Sequence, residues 1–117
     1  SERRQTYFQP ANRENAAMRL ILAVLRPTQV ESARRALAAV DVTRLTICDT
    51  QGRDATGGLV QQAILEIAVN EDFVDRTTGA LASVLDASGD GIAGRLFTLP
   101  LTEAVQIYRG VRGPEAV

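Results

Sequence analysis

Histidine and tryptophan are absent from this 117-residue chain, and cysteine and methionine occur once each. The missing histidine removes the commonest general base and the commonest metal ligand. Triads built on imidazole and histidine-ligated zinc sites are thereby excluded, and no metal is expected. A lone Cys48 cannot close an intramolecular disulfide, which fits a reducing, cytoplasmic setting. An excess of either charge is also missing: 13 Lys and Arg against 14 Asp and Glu leave a formal net charge of −1. That balance argues against general affinity for nucleic acid or an anionic membrane. No apolar run approaches the roughly 20 residues that span a bilayer, so no membrane insertion is expected.

What is present suits one small globular domain, with 45% hydrophobic and 23% charged residues. A chain this short often gains stability by oligomerising. Residues 1–17 are polar and charged, without a helical or strand period. They read as a flexible N-terminal arm or expression remnant, and residues 18–117 as the folded domain.

The domain opens with Met18 to Leu25, whose length and branching predict a buried strand ended by Arg26-Pro27. Thr28 and Glu31 form a capping-box pattern before a helix carrying Val30, Ala33, Leu37 and Val40 on one face. Arg34 and Arg35 then point outward. Alternation predicts a second strand over Val42 to Thr50, a polar loop over Asp49 to Leu59, and a third strand over Val60 to Val69. Glu66 is the odd member of that third strand, a carboxylate that must reach an edge, a base or a ligand. Asn70 is placed to cap a helix whose buried stripe is Val74, Thr77, Leu81 and Val84, ending at Ser88-Gly89. Arg95 to Leu99 forms a fourth strand, stopped by Pro100. An extended piece over Val105 to Tyr108 leads to a tail at Arg109 to Gly113.

This order predicts an α+β, ferredoxin-like βαββαβ fold: a four-stranded antiparallel sheet with two helices on one face. The positions on the other face are not polar, so self-association is expected to bury it. The stretch Ser88-Gly89-Asp90-Gly91-Ile92-Ala93-Gly94-Arg95 carries three glycines, which let backbone N–H groups converge on an anion. Asp54, Glu66 and Asp90 meet no indicated nucleophile or base, so an enzyme is not expected.

Taken together, several segments resemble the PII nitrogen-signalling family. These are Met18 to Pro27, Gly52-Arg53, Leu65-Glu66-Ile67-Ala68-Val69, Ser88-Gly89, Gly94 to Pro100, Glu103-Ala104-Val105 and Arg112 to Val117. The resemblance implies a homotrimer with adenine nucleotide (ADP, AMP or ATP) in the clefts between subunits. It implies cofactor contacts from Gly52, Arg53, Asp54, Glu66, Ser88, Gly89, Gly91, Gly94 and Arg95. It also implies non-catalytic regulation of a target protein through the loop after Gly52, here shorter than in most of the family and without its tyrosine.

Other departures thin the charge around a polyphosphate. Asp54 stands where the family has glutamine, Asp90 where it has lysine, and Gln106 and Tyr108 where it has arginines. Each lost charge-assisted bond is worth roughly 1.5–3 kcal/mol. The alternative reading is a protein-interaction module on the same fold that has lost its nucleotide. A metal-tolerance trimer or an amino-acid-binding regulatory domain of similar fold is a more distant choice.

Overall fold

The computed structural model describes residues 18–85 and 94–117. Four strands, β1 (Met18–Leu25), β2 (Thr46–Arg53), β3 (Leu59–Asn70) and β4 (Arg95–Leu101), form one antiparallel sheet in the order β2-β3-β1-β4. Helices α1 (Val30–Ala38) and α2 (Val74–Leu85) connect the strands. This is the expected βαββαβ topology.

The apolar run of β1 takes the centre because it must be covered on both edges, pairing Ile21 with Ile67 on one side and Thr98 on the other. Ile21, Ala23 and Leu25 point with Leu65, Ile67 and Val69 into one core, which Ala33 and Leu37 of α1 and Leu81 and Leu85 of α2 complete. Both helices therefore cover the same sheet face. Each of these large side chains contributes roughly 1.5–3 kcal/mol by leaving water.

The element boundaries differ from the sequence expectation in instructive ways. A 3-10 turn at Pro27–Gln29 precedes α1, and the Gln29 side chain accepts the Arg26 backbone N–H at 3.0 Å. Gln29 thus does what was expected of the Thr28–Glu31 box. Glu31 instead pairs with Arg34 at 2.5 Å and Arg35 at 3.6 Å on the exposed face. Helix α1 stops before Val40, which packs on the core from the following turn, where Asp41 adopts a φ of 64°. Strand β2 begins at Thr46 rather than Val42 and runs on to Arg53.

Asn70 bonds the C-terminal segment through its side chain, Nδ2 donating to the Pro114 carbonyl at 3.1 Å, in place of capping. In α2, Leu85 is buried and Val84 packs beside it. The expected helix end at Ser88-Gly89 lies outside the described residues. Pro100 sits within β4, opposite Arg19. Strand β4 is an edge, so its outer side requires no N–H donor. The expected tail is a ribbon: β5 (Val105–Gln106) pairs with β6 (Val111–Arg112), and a 3-10 turn at Gly113–Ala116 follows.

Candidate functional site

The segment expected as a loop over Asp49 to Leu59 is mostly ladder. Strands β2 and β3 stay in register from Thr46–Glu66 to Arg53–Leu59, leaving a five-residue connection, Asp54 to Gly58. The pairing of β1 with β3 ends at Leu25–Ala63, so beyond it the hairpin continues as two strands without β1 beside them. At its tip, Asp54 Oδ1 accepts the Thr56 N–H at 2.9 Å, the Thr56 hydroxyl at 2.7 Å and the Gly58 N–H at 2.8 Å. The Asp54 N–H donates to the Gly58 carbonyl at 2.9 Å, and the Gly57 N–H to the Asp54 carbonyl at 3.0 Å. Gly57 has a φ of +85°, which a side chain would strain. Arg53 Nη1 donates to the Gly57 carbonyl at 2.7 Å, so its guanidinium is turned onto its own hairpin. The Thr56 hydroxyl, followed by the Gly58 N–H, holds the Asp54 carboxyl below its ordinary value.

Below the tip, the backbone of Gly52 lies under the amide of Gln62, in the space a Cβ would need. Gln62 is buried. Gly94 and Arg95 stand at the same end of the sheet. The Gly94 N–H donates to the Val24 carbonyl at 2.8 Å with a φ of +95°, and Arg95 pairs with Val24 in the ladder. The Arg95 guanidinium carbon is 5.7 Å from the centroid of the Phe97 ring. Ser88, Gly89 and Gly91 lie outside the described residues, as do Asp90 and Ala93.

Glu66 does not join this end. It is exposed on the helix-free sheet face, opposite Leu22 and Thr46. There it lines an open cavity of about 440 Å³ with Leu20, Arg44, Thr46 and Ala68, bordered by the C-terminal residues Ala104 and Ala116. The sequence did not single out Arg44 or Thr46. Thr46 opens β2 and pairs with Glu66 in the ladder, whereas Arg44 lies just before the strand and shares the cavity with them. The lining offers a carboxylate, a guanidinium and hydroxyls beside apolar side chains. Such a cavity suits a flat or hydroxylated organic group better than a naked anion. Among the described residues no group of three or more Cys, Asp and Glu is placed to hold a metal.

The remaining cations near the C-terminus are engaged within the chain. Arg112 forms a half-buried ion pair with Glu103, and Arg109 Nη1 donates to Gln106 Oε1 at 3.1 Å. Tyr108, by contrast, is 79% exposed at the turn of the β5–β6 ribbon. No helix among the described residues is long and apolar enough to cross a membrane.

The family model described as nitrogen regulatory protein P-II matches residues 18–111 of this chain. The chain is 30% identical over 115 residues to nitrogen regulatory protein GlnK1 of Methanosarcina mazei, covering 86% of this chain and 98% of that one. It is 26% identical over 113 residues to nitrogen regulatory protein P-II of Rhizobium etli, covering 86% of this chain and all of its relative. Among solved structures, Arabidopsis thaliana PII bound to citrate superposes with a TM-score of 0.78 at 22% identity, covering 91% of this chain and 97% of that one. That last likeness speaks for the fold.

Proposed function

The chain belongs to the nitrogen regulatory protein P-II family, and from that premise we propose that it is a trimeric regulator. In this reading it binds an adenine nucleotide between subunits and controls a target protein through the β2–β3 hairpin. The observation that carries this is a division of the candidate residues on one protomer. Gly52, Arg53, Gly94 and Arg95 gather at the Leu25 end of the sheet, while Glu66 faces a cavity on the helix-free side. Seating a second copy against that side completes the site: phosphates meet the glycine-loop end of one subunit, and the nucleoside enters the cavity of its neighbour. Backbone N–H groups of a glycine-rich turn suit the first task.

With Asp54 and Tyr108 where cations would serve a triphosphate better, a mono- or diphosphate is the favoured ligand. The role is that of a regulator and not of an enzyme, with an unidentified protein as target and the cytoplasm as setting. Calorimetric titration with ATP, ADP and AMP, with and without magnesium, tests the proposal. Saturable binding near one nucleotide per subunit is expected. Arg95→Ala should weaken it about tenfold, the loss of one charge-assisted bond, while the oligomer persists. Flat titrations for all three nucleotides would overturn the adenylate reading and leave a module acting through protein contacts alone.

A further inference from the structure

We propose that Asp54 is a lock: it holds the β2–β3 hairpin in one folded shape before any effector or partner arrives. Recognition through this ribbon then does not wait on ligand-driven ordering, a consequence that rests on the partner-facing role proposed above. The lock itself stands on geometry within one protomer.

Past the Leu25–Ala63 pair the ribbon has lost β1 as a neighbour. An isolated two-stranded hairpin is marginal in water, so the contacts within the ribbon bear on its order. A five-residue connection closes at little entropic cost, and four polar devices fix it. One carboxylate oxygen collects three donors, from the Thr56 N–H, the Thr56 hydroxyl and the Gly58 N–H. Asp54 also exchanges backbone hydrogen bonds with Gly57 and Gly58. The Arg53 guanidinium ties the strand end to the Gly57 carbonyl. At the base, the buried Gln62 side chain fills the space over Gly52 that any other residue would occupy with a Cβ. Of these, the Asp54 side chain is the hub, because removing it releases three donors at once. Leu59, 64% exposed, stands opposite Arg53 on this fixed ribbon, an apolar group and a cation at a set spacing.

Amide hydrogen exchange on the full chain tests the lock, first without ligand and then with saturating ATP, ADP or AMP. The Thr56 and Gly58 amides of the ligand-free protein are expected to exchange at least about tenfold more slowly than unstructured-peptide rates, and to change little on nucleotide addition. In Asp54→Ala their protection should fall about tenfold while the β1 amides hold theirs, and Asp54→Asn, which keeps an acceptor, should fall between. Exchange at peptide rates in the ligand-free wild type would overturn the lock. So would protection that arises only with nucleotide, or an Asp54→Ala hairpin as protected as the wild type. The wild-type comparison requires no variant to fold. A protected hairpin in a protein whose titrations are flat supports the lock and refutes only the adenylate reading.

Discussion

Asp54 is only half-buried, yet its carboxylate is the most connected side-chain acceptor of the hairpin tip. Its donors favour the ionised form, the Thr56 hydroxyl first and the Gly58 N–H next, so its folded value is depressed below the ordinary 3.8. A depressed carboxyl contributes stability that is present above its unfolded value and lost as pH falls through its folded value. The tip should therefore keep its shape at neutral pH and loosen only in acid, below about pH 3.8. Following the Thr56 and Gly58 amide shifts together with the Asp54 carboxyl carbon through an acid titration checks this. All three should move together below the ordinary aspartate value, and amide shifts that stay flat while the carboxyl titrates would count against the hub. Glu31 is held low for a similar reason, by the Arg34 hydrogen bond first, but that pair is fully exposed and screened by water. Its removal is not expected to move stability measurably. Two depressed carboxyls thus differ in consequence: one is the hub of a loop's polar contacts, the other decorates a helix that the core already holds.

The same contrast between core and periphery runs through the elements. The period-3.6 stripe of α2 is set by Thr77, Leu81 and Leu85, all buried. Leu81→Ala should cost about 2–5 kcal/mol, read as a lower urea midpoint without a change in slope. A loss well under 1 kcal/mol would mean that α2 does not anchor the sheet. Stripes of this kind were legible because burial demands apolar side chains at fixed spacing. Strand ends were not, because ladder bonds are made by the backbone and ignore composition. Val42 to Leu45 alternates as well as Thr46 to Thr50 does, but only the latter has β3 opposite it. Asp49 to Arg53, polar and glycine-bearing, reads as loop and is strand. Pro100 reads as a stop and is tolerated on an edge. The candidate site was legible to the same degree: Glu66 and Arg95 stood out as charges beside apolar strands. Thr46, ordinary in sequence, meets Glu66 only through strand pairing, Arg44 joins their cavity from just before β2, and Asn70 serves the C-terminal segment rather than a helix cap.

At the scale of the whole molecule, the helix-free face raises the remaining physical question. Leu20 and Leu22 of β1, Ile64 of β3 and Phe97 and Leu99 of β4 share it, with Phe97 45% and Leu99 40% exposed. A contiguous apolar sheet face of this kind is costly to leave in water and is what an isologous or cyclic interface buries. Glu66 in its midst would be expensive to bury alone, so an interface through this face would have to supply it a cation or a polar ligand. Phe97→Glu places a second carboxylate on the β1–β4 side of the same face, level with Leu22 and Glu66. It should split the proposed trimer, from about three times the 12.6 kDa protomer mass to the protomer mass in sedimentation or light scattering. Nucleotide titration of that variant then separates interface from site. Arg95→Ala should lose affinity as an intact oligomer, whereas Phe97→Glu should lose affinity because the two halves of the site part company. A Phe97→Glu protein that remains trimeric would move the interface to another face. A monomeric one that still binds nucleotide at wild-type affinity would place the whole site within a single chain and overturn its division between subunits.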